Sequence, residues 1–200
     1  MKTLFAPGCA LNGYKPGSIE KIRQFLLQKG IIDDMYLTCC KESQGSDEKM
    51  TIIVCCPGCG HKFGALFPNA SVISLWKILN DTDFPFPDYR GERMSIHDSC
   101  RSRQRYSEEM QESSRQLCRR MNITLVEPEH TRETTVCCGG CVPDRDLRME
   151  KARSRAEDFS EKNVVTYCTG CVRSFSVTDK QPRHMLDLLL GEPTEGLTLK

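Results

Sequence analysis

The segment TIIVCCPGCGHKF, residues 51–63, and the segment NVVTYCTGCVRSF, residues 163–175, carry the same pattern. In each, a short β-branched run leads into a Cys-X-Gly-Cys turn, and a phenylalanine follows four residues after the second cysteine. Such a run predicts a buried β-strand that passes directly into a helix. The repetition predicts that the chain contains two copies of one structural unit.

The features on either side of these segments also recur, and they recur in the same order. Each half opens with an apolar run that ends in a single cysteine and is followed by a stretch with helical spacing. A short extended run ending in a Cys-Cys pair comes next, and an apolar closing helix follows the Cys-X-Gly-Cys segment. The matching positions are Cys9 and Cys100, helices over residues 18–28 and 107–121, the pairs Cys39–Cys40 and Cys137–Cys138, and closing helices over residues 72–80 and 183–191.

The two halves meet in a segment that breaks regular structure, residues 80–93, which contains Pro85 and Pro87 among acidic residues. This divides the chain into a first domain over residues 1–85 and a second domain over residues 86–200. Short strands alternate with helices in both, which predicts an α/β fold. We expect two tandem, related small domains with short parallel or mixed sheets flanked by helices, and with the cysteines at strand ends and in loops.

The composition limits the classes of protein to which the chain can belong. Thirteen of the 200 residues are cysteine, an odd number that intrachain disulfides cannot pair completely. In a reducing cytoplasm, where we place this chain, closely spaced cysteines favour metal or redox chemistry. The net charge of +1 argues against nucleic acid as a partner. No run approaches the roughly 18 consecutive apolar residues of a spanning helix, so an integral membrane protein is not expected.

Each half supplies five cysteines in the same order, which is one more than a mononuclear zinc site takes. Polynuclear iron–sulfur clusters accommodate a fifth thiolate better, because several irons offer separate attachment points. We name the five cysteines of the first half the first set and those of the second half the second set. The first set is Cys9, Cys39, Cys40, Cys56 and Cys59, and the second set is Cys100, Cys137, Cys138, Cys168 and Cys171.

Two histidines and the three remaining cysteines have no counterpart in the repeat. His97 and His184 do not recur at matching places, so we expect partly buried structural histidines rather than ligands. Cys118 falls in a helical stretch and is expected to be a buried small hydrophobe. Cys55 is expected to face away from Cys56, since successive strand residues point to opposite sides. Cys141 stays open as a substitute ligand or a redox thiol.

The chain resembles the cysteine-rich CCG-domain family. The likeness lies in a motif that occurs twice: a single cysteine, a distant Cys-Cys pair and a later Cys-X-X-Cys. Members of the family include the CCG-domain subunit of heterodisulfide reductase, the iron–sulfur subunits of glycolate oxidase and anaerobic glycerol-3-phosphate dehydrogenase, and lactate-utilisation iron–sulfur proteins. The likeness covers almost the whole chain and is fullest in the second half, where Gly139 completes the CCG motif. It implies paired α/β domains that hold 4Fe-4S clusters, including noncubane ones on five cysteines, with both sets as ligands.

The first half departs from this pattern in two ways. Lys41 stands where the motif has glycine, and 15 residues lie between Cys40 and Cys56, against 29 between Cys138 and Cys168. The shorter gap predicts that a helix of the second half is missing from the first. The first set is therefore expected to hold a similar cluster, a simpler cubane cluster, or a zinc ion on four of its five thiols.

The resemblance implies an iron–sulfur oxidoreductase component that passes electrons to a disulfide, a quinone or a similar acceptor. Its partners would be a ferredoxin-like iron–sulfur subunit, a flavoprotein dehydrogenase, or both, because the chain has no dinucleotide-binding glycine fingerprint. Arg101, Arg103 and Arg105 follow Cys100 and could hold an anionic substrate. Two alternatives stay open: a pure electron-transfer protein, and a zinc-stabilised interaction module without redox activity.

Overall fold

The computed structural model describes residues 1–103 and 107–196. Within these residues the strands form two four-stranded sheets in which every strand pair is parallel, and helices flank both sheets. The predicted α/β fold is confirmed, and of the two kinds of sheet expected it is the parallel kind that forms.

The first half alternates strands and helices along residues 2–80. In its longest helix Ile19, Ile22 and Leu26 recur at helical spacing and form the buried face. Pro16 begins this helix, at a position where the missing N–H has no partner to lose. The strands are β1 (Lys2–Ala6), β2 (Asp34–Met35), β3 (Met50–Val54) and β4 (Ser71–Ser74), and the helices are α1 (Cys9–Tyr14), α2 (Pro16–Gln28), α3 (Pro57–Leu66) and α4 (Leu75–Asn80).

The second half follows the same order with two differences: a short 3-10 turn stands in place of α1, and a second 3-10 turn and one further helix are added before the third strand. The strands are β5 (Arg93–His97), β6 (Thr124–Val126), β7 (Asn163–Thr166) and β8 (Gln181–His184). The helices are α5 (Ser107–Arg120), α6 (Arg145–Glu157), α7 (Thr169–Phe175) and α8 (Met185–Leu189), and the 3-10 turns are Cys100–Arg103 and Arg132–Thr134.

The two sheets have equivalent topologies. The strand order is β2-β1-β3-β4 in one sheet and β6-β5-β7-β8 in the other. Because all strands run the same way, each sheet gathers the loops that follow its strands at one edge. The loops after β1, β3, β5 and β7 carry the single cysteines and the Cys-X-Gly-Cys turns, so the fold brings the parts of each set to one side.

Two expectations about local structure are corrected. The predicted closing helices begin later than expected, because their first residues form the edge strands β4 and β8, which pair with β3 and β7. Caps set the boundaries: the Ser74 hydroxyl accepts from the Trp76 N–H, and His184 Nδ1 accepts from the Leu186 N–H. The extended run expected just before Cys137 is not a strand: Thr134 ends a 3-10 turn, Thr135 and Val136 have no regular structure, and the strand lies earlier, at β6.

The helix predicted to be missing from the first half is α6. Residues 36–49 connect β2 to β3 without a helix, whereas α6 lies between β6 and β7. Gly139 has φ +81°, and a Cβ there would lie 2.7 Å from the carbonyl oxygen of Arg148 in α6. The CCG glycine is thus required where α6 packs against it. Lys41 occupies the matching position where no helix crowds the chain, so one structural difference explains both departures from the motif.

Gly139→Ala is expected to destabilise the protein more than Gly91→Ala does. Gly91 has φ +78° with open space around its would-be Cβ, so alanine there adds only left-handed strain of about 1–2 kcal/mol. At Gly139 the same strain is joined by a backbone clash with α6. Urea unfolding of the two variants measures the difference. Equal unfolding midpoints would contradict the packing role given to Gly139.

The two halves pack together reciprocally. The closing helix of the first half, α4, lies against α5, and Asn80 donates to the Ser113 carbonyl at 2.9 Å. At the opposite end, the segment around α8 lies against α1 and α2, where Lys21 Nζ and Glu192 Oε1 are 2.6 Å apart. A continuous cluster of buried apolar side chains runs through both halves and includes Phe5, Trp76 and Leu188. The expected domain division falls in the segment between α4 and β5.

Among the described residues, no helix combines the length and the apolar character needed to cross a membrane.

Candidate metal centre

The single cysteine and the Cys-X-Gly-Cys turn of each set leave the sheets at helix starts. Cys9 is the first residue of α1, and Cys56 and Cys168 are the N-caps of α3 and α7. Free N–H groups at these positions favour a negatively charged thiolate. All 13 cysteines lie within the described residues, and all are free thiols.

The first contact within each set joins the single cysteine to the first member of the Cys-Cys pair. The Sγ atoms of Cys9 and Cys39 lie 3.5 Å apart. The backbone N–H of Lys41 and then the Cys9 thiol lower the pKa of Cys39, while contact with Cys39 and burial raise the pKa of Cys9. Cys39 therefore ionises more readily than Cys9.

The second set repeats this contact. Cys100 and Cys137 lie together, and this contact is the main reason why the pKa of Cys137 falls to about 6 while that of Cys100 rises. The Gly139 N–H donates to Cys137 Sγ at 3.4 Å, and the Lys41 N–H at the matching position lowers the pKa of Cys39. The repeat found in the sequence thus extends to individual contacts.

The second contact joins the other member of each pair to the second cysteine of the Cys-X-Gly-Cys turn. Cys40 and Cys59 line the same small cavity in the first set, where Cys59 acts to lower the pKa of Cys40, and the Sγ atoms of Cys138 and Cys171 lie 3.2 Å apart in the second. Contact with Cys171, and to a lesser degree with His97, holds the pKa of Cys138 well below its usual range even though burial opposes this. Cys138 and Cys171 are almost fully buried.

The third contact joins the two sets to each other. Cys56 and Cys168, the first cysteines of the two Cys-X-Gly-Cys turns, lie together across the boundary between the halves, and each thiol shifts the pKa of the other. The ten thiols therefore form one assembly with three buried members and two accessible ends. Cys9 is exposed at one end, and half-buried Cys100 lies at the other.

The three remaining cysteines differ in their surroundings. Cys118 is completely buried within α5, as expected for a small hydrophobe, and burial raises its pKa to about 12. Cys55 is buried in the apolar core, where burial raises its pKa well above the usual value. Cys141 is exposed and lies close enough to Cys100 to raise the pKa of that thiol, so its role as a further ligand stays open.

Small and aromatic residues shape the space around the sulfur atoms. Gly8 has φ +86°, and a Cβ there would lie 3.1 Å from Cys59 Sγ, so glycine lets the loop after β1 approach this thiol. Phe63 is buried and lines the same small cavity as Cys9, Cys40 and Cys59. Its counterpart Phe175 packs with Cys138 and Cys171. Both phenylalanines belong to the core and also cover thiols from solvent.

A buried polar network beside the second set was not apparent from the sequence. Arg115, 2% exposed, pairs with the fully buried Asp98 at 2.8 Å and with Glu127 at 2.6 Å. The Tyr167 hydroxyl donates to the same Asp98 carboxylate at 2.8 Å. Burial alone would raise the pKa of Asp98, but Arg115 outweighs it and holds that pKa at about 2.

This network fixes the loops that carry the second set. The Arg132 N–H donates to Asp98 Oδ2 at 2.9 Å, and the Thr135 hydroxyl donates to the Asp98 carbonyl at 2.6 Å. The segment leading to Cys137 is thereby attached to the loop that leads to Cys100. Because the bonded residues are far apart along the chain, no local sequence pattern reveals the network.

His97, like the network, lies in a place that the sequence did not indicate. Instead of the partly buried histidine expected, the side chain is completely buried, and one of its ring nitrogens lies within 4.8 Å of the sulfur atoms of Cys138 and Cys171. Its position three residues before Cys100 is the only signal in the sequence, and the first half has Ala6 there. His184 was likewise expected to be partly buried but is almost completely buried, and it serves as the helix cap described above.

The fold and the site define an α/β protein with two parallel sheets whose carboxyl edges meet in an assembly of cysteines able to bind metal. No protein-family model, no curated protein and no solved structure matches the chain. The likeness to the CCG-domain family therefore rests on the order and spacing of the ten cysteines.

Proposed function

We propose that the chain is an iron–sulfur protein in which each cysteine set holds a 4Fe-4S cluster, of cubane or noncubane type. The observation that supports this best is the convergence of ten thiols from six separate segments into two sets with matching contacts. A structural role for scattered cysteines would not require the single cysteine, the Cys-Cys pair and the Cys-X-Gly-Cys turn to meet twice in the same way.

The donor chemistry fits this proposal. Thiolates are the usual ligands of iron–sulfur clusters, and five per set exceed the four that tetrahedral zinc takes. Thiols must lose their protons to bind a metal. Three thiols in the two sets, Cys39, Cys137 and Cys138, have lowered pKa values and so are prepared for this step.

We further propose that the chain is one component of an oxidoreductase similar to heterodisulfide reductase, corresponding to the CCG-domain subunit of that enzyme. When bound, the clusters would supply single electrons for the reduction of a disulfide, a quinone or a similar acceptor. The buried thiols Cys59, Cys138 and Cys171 are shielded from water, while the accessible ends at Cys9 and Cys100 leave room for a substrate or a partner. Arg101 and Arg103 are exposed beside Cys100 and would attract an anionic substrate, whereas Arg105 lies outside the described residues.

The proposed electron donors and cellular compartment follow from the same likeness. Electrons would come from a ferredoxin-like iron–sulfur subunit or a flavoprotein dehydrogenase in a reducing, anaerobic cytoplasm. Thirteen closely spaced cysteines, an odd number, fit a reducing environment. Electron transfer without substrate chemistry at this chain is the simpler form of the same proposal.

Anaerobic purification followed by metal, sulfide and EPR analysis tests the proposal. We expect a brown protein with about eight iron and eight acid-labile sulfide per chain, the content of two 4Fe-4S clusters. Dithionite reduction should give EPR signals from two centres. About four iron with one zinc would restrict the cluster to one set.

The competing function is a zinc-stabilised interaction module, which the same measurements separate. It requires a colourless protein with two zinc, no sulfide and no EPR signal after reduction. That outcome, persisting after anaerobic reconstitution with iron and sulfide, would overturn the proposal.

A further inference from the structure

His97 lies at the carboxyl end of β5 and faces the buried part of the second set. Its ring packs edge to face on Phe175, with ring centroids 5.0 Å apart, and also contacts Phe159. A ring nitrogen and the sulfur atoms of Cys138 and Cys171 lie within 4.8 Å of one another. The imidazole is thus fixed by packing against two buried sulfur atoms.

Arg155 determines which ring nitrogen of His97 carries the proton. Its Nε–H donates to His97 Nδ1 at 3.2 Å, and the guanidinium is held by Asp158 and by the His130 carbonyl, the latter at 2.7 Å. An arginine side chain has donors only and does not lose its proton in proteins. Nδ1 must therefore present a lone pair, and a neutral His97 must carry its hydrogen on Nε2.

The Nε2 atom is buried and has no hydrogen-bond partner among the residues that the structure describes. A buried N–H without an acceptor is costly, and the sulfur atoms of Cys138 and Cys171 are the acceptors that adjoin this ring. The same reasoning argues against metal ligation by His97. Ligation through Nε2 would need a lone pair there and a proton on Nδ1, which would then oppose the N–H of Arg155.

We propose that His97 donates an Nε2–H hydrogen bond to sulfur of the second cysteine set and thereby makes that centre the better electron acceptor of the two. This inference rests on the proposed iron–sulfur function. Hydrogen bonds to cluster sulfur stabilise the reduced, more negative state and raise the reduction potential. The first set has Ala6 at the matching strand position, which offers no donor. An electron that enters at the first set would therefore pass to the second.

Redox titration followed by EPR, on the full chain with 15N-labelled histidine, tests this inference. In His97→Ala the reduction potential of the second centre should fall while that of the first is unchanged. A fall of 59 mV in the reduction potential of the second centre lowers the equilibrium constant for one-electron transfer from the first centre to the second tenfold. His97→Gln, whose amide can still donate, should restore part of the shift. His61→Gln, an exposed change near the first set, serves as the control.

The labelled nitrogen separates the two roles that His97 can have. Weak hyperfine coupling of 15N to the reduced centre, with an exchangeable proton that disappears in D2O, is expected for a hydrogen bond. Strong coupling would identify a ligand and overturn the inference, as would an unchanged potential in both His97 variants.

The inference remains testable if the proposed function fails. Should the protein bind only zinc, 15N NMR of its four histidines reports the tautomer of His97 directly, with His97→Gln assigning the resonance. A proton on Nε2 supports the hydrogen bond, and a proton on Nδ1 overturns it.

Discussion

Replacing Cys171 with serine is expected to remove the EPR signal of the second centre and about half of the bound iron and sulfide, and to leave the first centre's signal intact. Cys171 is buried and contacts Cys138 and Cys168, both in its own set. Serine is a much poorer ligand for iron than a thiolate. Cys138→Ser should have the same effect. Metal analysis and EPR of the anaerobically prepared variants provide the measurement.

Three further variants test the assignment of ligands. Cys118→Ala removes a buried thiol outside both sets, and Cys141→Ser removes an exposed thiol beside Cys100. Cys118→Ala should keep the iron content and both signals, and a loss of iron in Cys141→Ser would identify Cys141 as a further ligand. Cys168→Ser, at the contact with Cys56, should broaden or shift the first signal as well as remove the second. Survival of both signals in Cys171→Ser would show that the division into two sets is wrong.

Arg115→Met is expected to lower the free energy of unfolding by about 3–5 kcal/mol, because it leaves the buried Asp98 carboxylate without its cation. The side chains of Arg115 and Asp98 are 2% and 0% exposed, so water cannot solvate the carboxylate when the ion pair is lost. Loss of this pair also loosens the loops before Cys100 and Cys137. Reconstitution should therefore yield less iron in the second set even where the chain folds. Urea unfolding and metal analysis measure the two effects.

The control for this variant lies one turn further along α5. Arg119→Met removes an exposed pair with Glu112, in which the side chains are 60% and 41% exposed, and should cost less than about 1 kcal/mol. The double variant Arg115→Met with Asp98→Asn should be more stable than Arg115→Met alone, since no buried charge is then left unpaired. Similar costs for Arg115→Met and Arg119→Met would contradict the role given to the network.

Much of the fold was predictable because it depends on local patterns. The run at residues 52–54 and the helical spacing of Ile19, Ile22 and Leu26 each indicate one element by their periodicity. The edge strands β4 and β8 were missed because both are short and continue directly into helices, and β8 (QPRH) contains no apolar run. Their strand character comes from pairing with β3 and β7, which only the assembled sheet provides.

The ten candidate ligands were predictable for a similar reason. Cysteines repeated in order and spacing identify two sets, and the shorter gap after Cys40 correctly indicated the missing helix. The sequence did not show that Cys56 contacts Cys168 and so joins the two sets. This contact depends on how the halves pack, and packing between residues so far apart along the chain leaves no local pattern.

The sequence by itself determined the α/β class, the repeat and the grouping of the cysteines, since strand and helix periodicity and ligand spacing are properties of short segments. Only the tertiary structure decided the surroundings of the sulfur atoms. His97 and Arg155 are 58 residues apart along the chain, and the fold alone sets their contact and the proton position that follows from it. Burial and hydrogen bonding between distant residues thus distinguish two centres whose ligands are alike.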